Sequence, residues 1–598
     1  MNSFWKRAIV AASLVLTVAV SSAGTAAAQT CGYCVAGDNT ESGQNGLPSG
    51  TTGIDNSAFG DGALFNCTSG NVNTAVGVNA LLNNNADQNT AVGVDALESN
   101  TTGFYNTATG YEALQNNNDG FNTADGWESL LNNTLGNKNT ATGADALYNN
   151  TTGNLNTATG YKALDNNNGD NNTGTGFAAL FTNTSGTQNT ATGVQALYSN
   201  TLGNYNTAIG AESLQSNTTG GSNTAVGLVT LQANTTGSFN TALGPYSMQS
   251  NTTGGDNAAV GSGSLQYNTI GVENTAVGEN ALRQNTTASQ NTAIGWSALQ
   301  SNTTGGNDAA LGVNALYSNT TGSSNTASGV GALHFNTAGS YNTATGLQAL
   351  TANTTGGFST AAGVQALSKN TTGQQNTAVG VYAMLDNTTG NNNVTLGYEA
   401  GFNLTTGSHN VDIGSLGVAG ESNTIRIGTQ GTQTATYIAG IFNSSASGGA
   451  VEVSSTGKLG MVLSSARYKR DIHDMDTASS KLLKLRPVTF VYKQDPQGER
   501  QYGLIAEEVA RVYPELVVYG TDGKVVSIRY HELIPMLLNE TQKQAKLIEN
   551  QSRQIKRLSA RVAEEQADRA SFEQRLSALE QTQAERDRNQ TLAVAIGR

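Results

Sequence analysis

Ser464 is followed five residues later by Lys469, in the run Ser464-Ser465-Ala466-Arg467-Tyr468-Lys469. A serine hydroxyl is a weak nucleophile until a base takes its proton. A lysine can be that base only when its usual pKa of ~10.4 is lowered by burial or by nearby positive charge. Arg467 and Arg470 are such neighbours in sequence. The pair lies at a seam. Residues 29–463 carry 6 Lys and Arg against 24 Asp and Glu, whereas residues 464–598 carry 22 against 19. A serine and a lysine at this seam mark a place where the chain could cut itself.

Other chemistry is sparse. The three cysteines, Cys31, Cys34 and Cys67, cluster toward the N-terminus. Cys31 and Cys34 are spaced for a small disulfide in an oxidising compartment, which leaves Cys67 odd. His334, His409, His473 and His531 are far apart, and none neighbours a cysteine in sequence, so no metal site and no cofactor are expected. The acidic, lysine-poor long segment lacks the basic track a nucleic-acid partner needs. Its carboxylates hold no fixed repeat position, which disfavours the paired acids of a glycanase.

The element that would carry this seam is a repeat. A phrase close to N-T-A-x-G-x-x-A-L-x-x-N-T-T-G-x-x begins at Asn56 and recurs every 16 or 17 residues through Asn393, with a degenerate copy at Asn410. So strict a period predicts a solenoid or roll in which each unit is one coil. The length suits two short strands and two turns, with Asn-Thr-Thr-Gly as the turn chemistry. Alternating small and branched residues (Ala75-Val76-Gly77) suit a narrow interior, and one Ala-Leu pair per coil adds the larger apolar side chain. One Leu and one Val per coil contribute roughly 3–5 kcal/mol. Backbone ordering costs ~1–2 kcal/mol per residue, so inter-coil hydrogen bonds and lateral packing of several chains must supply the balance. The threonines could also form an array that binds ice or glycans, although Thr on a β-surface is generally just a good strand former. The Asn-x-Thr triplets match glycosylation acceptors, but turn-forming repeats generate them without that role.

The repeat pattern resembles the β-roll heads of trimeric autotransporter adhesins, with a longer period and no membrane-anchor β-barrel behind it. Beyond the seam come Leu485-Arg486-Pro487-Val488-Thr489-Phe490, Tyr502-Gly503-Leu504-Ile505-Ala506-Glu507-Glu508-Val509, Tyr513-Pro514-Glu515-Leu516 and Ser527-Ile528-Arg529-Tyr530. This succession, from about Ser464 to Asn550, is similar to the C-terminal intramolecular chaperone domain of phage tail spikes and endosialidases. It departs at Ser465, where many members have Asp, and at Glu507, where Gln is frequent. The resemblance implies that Ser464 is a nucleophile, that Lys469 is its base, and that the scissile bond is Leu463–Ser464. It implies single-turnover self-cleavage with no activity on external substrates.

The last helix carries a heptad. Ile534, Thr541, Ile548, Ile555, Val562, Arg569 and Leu576 fall on one core position, and Leu537, Gln544, Gln551, Leu558, Glu565, Phe572 and Leu579 on the other. Such a seam allows a trimer. At the other end, Lys6 and Arg7, the apolar run from Ala8 to Val20 and Ala26-Ala27-Ala28 read as a cleaved export signal.

The expected fold is therefore mainly β: a 17-residue-repeat β-roll or β-solenoid, trimeric, followed by a small α+β chaperone domain and a coiled coil. The expected divisions are a signal peptide (1–28), a Cys-containing segment (29–55), the repeat head (56–414), a transitional β segment (415–463), the auto-processing chaperone (464–533), the coiled coil (534–580) and a tail (581–598). The expected function is an exported, extracellular or cell-surface, adhesin-like homotrimeric fibre. It would have a host-surface or glycan receptor, no nucleic-acid partner and no transmembrane anchor in the mature chain. The competing reading is a secreted or prophage tail-fibre-like glycan-binding or depolymerase protein.

Overall fold

The computed structural model describes residues 38–439, 451–454, 456–495, 497–520 and 522–595. The expected export signal and the Cys31–Cys34 pair lie outside the described residues. The chain divides into two compact units, residues 1–435 and 436–598.

The first unit is a parallel β-solenoid. Each coil contributes one three-residue strand, from β1 (Thr40–Ser42) and β2 (Ser57–Phe59) to β23 (Val411–Ile413) and β24 (Ile425–Ile427). The 24 solenoid strands of the described residues form one sheet, each inner strand paired in parallel with the strand of the coil before and after. The register is strict, Thr on Thr and Ala on Ala, as in Thr207↔Thr224 and Ala208↔Ala225. The solenoid extends beyond the repeat stretch 56–414 at both ends.

Each coil holds one strand where two were expected, and the reason is the buried leucine. Leu81, Leu97 and Leu114 have left-handed backbone, with φ of 53°, 53° and 54°, a conformation that costs an L-residue roughly 1–2 kcal/mol. Two contacts offset that cost. The Leu81 N–H bonds to Ala96 O at 3.0 Å in the next coil, and the side chain is fully buried in the coil interior. The chain thus turns through this corner while its amide still pairs along the axis. Glycine is required at the end of the strand. Gly77 has φ of +142°, and a Cβ on it would lie 2.2 Å from Gly93 O.

The interior is only partly apolar. The middle strand residue (Ala75, Ala91) and the Ala-Leu pair fill one side. Two asparagine ladders fill the other. The Asn before each strand accepts from the next coil, as when the Asn73 N–H donates to Asn56 Oδ1 (2.9 Å) and the Asn89 N–H to Asn73 Oδ1 (2.9 Å). The first Asn of each Asn-Thr-Thr-Gly forms the second ladder, with Asn100 Nδ2 donating to Asn84 Oδ1 (2.7 Å) and Asn234 Nδ2 to Asn217 Oδ1 (2.8 Å). These asparagines are fully buried, so in the folded coil they are structural and not acceptors for a glycan. Threonine adds a third row, Thr218 Oγ1 donating to Thr235 O and Thr235 Oγ1 to Thr252 O, each at 3.0 Å. Much of the balance that the sequence assigns to neighbouring chains is thus met inside one chain, by satisfying buried polar groups coil to coil.

The 16-residue coils lose their residue in the turn. In them the two ladders touch, with Asn89 Nδ2 on Asn84 Oδ1, Asn122 Nδ2 on Asn117 Oδ1 and Asn172 Nδ2 on Asn167 Oδ1, each at 3.1 Å. Cys67 occupies the second ladder's place in an early coil. It is free and buried, and burial pushes its thiol pKa up.

The second unit is a small α+β assembly. It contains three antiparallel hairpins: β25 (Val451–Val453) with β26 (Leu459–Met461), β27 (Val488–Phe490) with β28 (Gln501–Gly503), and β29 (Val517–Tyr519) with β30 (Val525–Ile528). Helix α1 (Ala506–Val512) and helix α2 (Tyr530–Ala595) complete it. Val509, Tyr513, Leu516, Val517, Ile528, Leu533 and Met536 form its core. Helix α2 runs further at both ends than the heptad stretch 534–580. Among the described residues no helix is long and apolar enough to cross a membrane.

Candidate functional site

Shortly after β26 the chain passes through a 3-10 turn, Ala466–Tyr468. Ser465 enters it with extended backbone, and Lys469 leaves it the same way. The turn closes through Tyr468 N–H to Ser465 O (3.0 Å) and Lys469 N–H to Ala466 O (3.1 Å). This reversal lets the Lys469 side chain reach back, and Nζ donates to Ser464 Oγ at 3.2 Å. The five-residue spacing read from the sequence therefore corresponds to a direct contact.

The surroundings differ from the sequence expectation. Arg467 lies over the Tyr468 ring, 4.7 Å from its centroid, and Arg470 approaches Asp471 at 3.9 Å. Each arginine thus has a partner other than Lys469. Every residue from Leu463 to Arg470 is exposed in the single chain, Leu463 by 53%.

The segment behind the pair is tied to the core at Tyr513 and to α2. Tyr513 Oη donates to Ala478 O and accepts the Lys481 N–H, each at 3.0 Å. Ser479 Oγ donates to Glu540 Oε1 at 2.7 Å and accepts Asn539 Nδ2 at 2.6 Å. Lys543 sits 2.8 Å from Glu540, and with the Ser479 hydroxyl it holds that carboxyl below the usual carboxylate range. A further contact spans the Leu463–Ser464 bond in sequence: Glu452 of β25 lies 2.8 Å from Nδ1 of His531 at the start of α2. Sequence reading missed both groups, because each joins residues distant in the chain with no local pattern to mark them.

Helix α2 leaves its heptad positions open beyond the core. Ile548, Ile555, Leu558 and Phe572 are 57–64% exposed. Among the described residues no group of His, Cys, Asp and Glu is arranged to hold a metal.

No curated protein and no solved structure matches the chain. A family model does: residues 464–518, beginning at the serine that Lys469 contacts, match the Peptidase_S74 family, chaperone of endosialidase, so that a long β-solenoid of 17-residue repeats is followed by a segment similar to that chaperone.

Proposed function

We propose that the protein is an exported, trimeric, tail-fibre-like surface fibre whose C-terminal unit aligns three chains and then cuts itself free at Leu463–Ser464. The observation that carries the cleavage step is the Lys469 Nζ to Ser464 Oγ hydrogen bond, at the first residue of the family match. Ser464 Oγ attacks the Leu463 carbonyl carbon while Lys469 takes the hydroxyl proton. The C–N bond breaks, the proton passes to the Ser464 amine, and Leu463 is left esterified to Oγ. Water then hydrolyses the ester, giving a Leu463 carboxylate and a new N-terminal Ser464. In the single chain Lys469 donates to Ser464 from an exposed position. Burial against other chains favours a neutral amine, so cleavage follows assembly.

The need for a chaperone comes from the coils. Near-identical coils could pair one step out of register between chains at little local cost. A helix whose apolar positions are exposed in isolation gains by bundling, and bundling at one end fixes the register before the solenoids meet. The working role is adhesion or surface structure, since the repeats present area and no cleft lined by paired carboxylates.

Intact mass of the full-length protein, beside Ser464→Ala and Lys469→Ala, tests this reading. The expected result is a split wild type with a new N-terminus at Ser464 and two uncut variants. An uncut wild type that is still trimeric would make the C-terminal unit a permanent trimerisation foot.

A further inference from the structure

We propose that the strand face of the solenoid is the surface on which copies of this chain pack, parallel and coil against coil. The proposal rests on the trimer reading and deepens it by naming the face that is used.

The strands bury only their middle residue. The first and third point outward, in the repeated pattern of an exposed or half-exposed residue on each side of a buried one. From Ile209 through Leu311 the third residue is aliphatic in every coil. Val260, Val277 and Ile294 are 39%, 37% and 39% exposed. The next outward residue, after the glycine, is also apolar in most coils, with Trp296 49% and Val313 40% exposed. Successive residues of this second row touch: the Tyr111 and Trp127 rings stack at 4.5 Å. The first row is aliphatic in every coil from Ile209 to Leu311 and is interrupted elsewhere by threonine, as at Thr142, Thr159, Thr175 and Thr192. The second row is apolar in most coils, and together they make a largely apolar strand face of the kind an unpartnered protein rarely leaves open.

Charge is almost absent from the strip. Between Thr74 and Ile413 the outward strand residues and the residue after each glycine include only Asp125 and Glu279. The remaining charged residues of the coils lie elsewhere. The left-handed turn before each strand is mixed by contrast, with Gln88, Lys138, Asp256 and Glu273 among its aromatics. Depletion of charge over an apolar core is the composition of a protein interface.

Size and spacing point to a second copy. Coils stacked at ~4.8 Å make a strand face, threonine coils included, roughly 100 Å long and about 13 Å wide, which exceeds the ~800 Å² per partner of a stable interface. Side chains repeating at the coil pitch along that whole length are met at every level only by a surface of the same pitch, and another solenoid of this chain has it. Three identical chains related by the three-fold axis of the proposed trimer run parallel.

The test compares the purified protein with two triple variants by light scattering and thermal melting. Val260→Lys/Val277→Lys/Ile294→Lys places charge on the strip. Thr236→Lys/Thr253→Lys/Thr304→Lys places it on exposed Asn-Thr-Thr-Gly turns. A Val260→Thr/Val277→Thr/Ile294→Thr variant checks folding, since Thr142, Thr159, Thr175 and Thr192 stand at this position naturally. The strip lysines are expected to dissociate the cleaved head, or to lower the melting temperature of an uncut chain by roughly 10 °C or more. The turn lysines should leave both unchanged, and the threonine variant should keep native circular dichroism. A trimeric wild type with both lysine variants equally stable would overturn the strand-face assignment while leaving the trimer intact. A monomeric wild type would overturn the trimer reading, and this assignment with it.

Discussion

At the scale of the residue, the buried polar ladders are where single substitutions act most sharply. Asp308 stands in the first ladder where nearly every other coil has Asn. It accepts the Asn325 N–H at 2.7 Å, Asn325 Nδ2 at 3.0 Å and Asn319 Nδ2 at 3.1 Å. Burial outweighs these donors and pushes its pKa up to about 7. At the equivalent place Asn291 and Asn325 donate Nδ2 to Gly305 O and Gly339 O, a bond that an ionised Asp308 cannot donate. Asp412, also buried and without a hydrogen-bond donor, is raised to about 6 by burial and then by Glu421, with Arg426 acting against both. In the unfolded chain both ionise near 3.9. Between pH 4 and 7 the unfolded state therefore releases protons that the folded state keeps, and the head loses stability as pH rises. Asp308→Asn should melt higher than wild type at pH 8, by an amount of order 3–4 kcal/mol, and the difference should vanish toward pH 4. Melts of the two proteins across that range check it.

At the scale of the element, helix α2 joins two tasks in one rod of residues. Its first turns bury Leu533 and Met536 in the chaperone core, and Asn539, Glu540 and Lys543 grip Ser479. Its remainder presents exposed heptad positions. Because the Ser479 grip and the Ser464–Lys469 contact belong to the same compact unit, assembly through the heptad and cleavage at Ser464 should be coupled. Leu558→Asp, at a position 57% exposed in the single chain, removes no contact from the chaperone core. It is expected to reduce the full chain to monomers and to lower the cut fraction in parallel, read by light scattering and intact mass. Monomers that still cut at the wild-type extent would show that Ser464 and Lys469 need no neighbour.

At the scale of the whole molecule, the solenoid is a one-dimensional stack in which each coil depends on its two neighbours. Removing residues 240–273, two full coils, keeps every Ala on Ala and Asn on Asn. Such a protein should fold, with a melting temperature within a few degrees of wild type. Removing only residues 240–247 breaks both asparagine ladders and the Leu row at once, and the shortened chain should lose cooperative melting. Circular dichroism melts distinguish the two deletions.

The period, the one Leu per coil and the Ser464–Lys469 spacing were legible in the sequence, because a strict repeat prints its local geometry in every unit. The Val counted with that Leu as buried points outward instead, Val76 being 39% exposed, since a three-residue strand turns only its middle residue inward. The sequence also marked the chaperone segment, through blocks in order. What it did not show is which polar residues lie inside. The Asn of Asn-Thr-Thr-Gly reads as turn chemistry, yet Asn100 and Asn234 are fully buried, because closing the coil brings each Asn onto its equivalent 16 or 17 residues away. The left-handed Leu81 likewise looks unfavourable by itself and becomes tenable only when Ala96 supplies an acceptor. Spacing placed Lys469 near Ser464 in the chain, but it was the 3-10 turn at Ala466–Tyr468 that brought Nζ to Oγ. Local pattern determines the phase of each coil and the candidates for chemistry. Stacking decides which donors and acceptors meet, because those partners lie a full coil away or more.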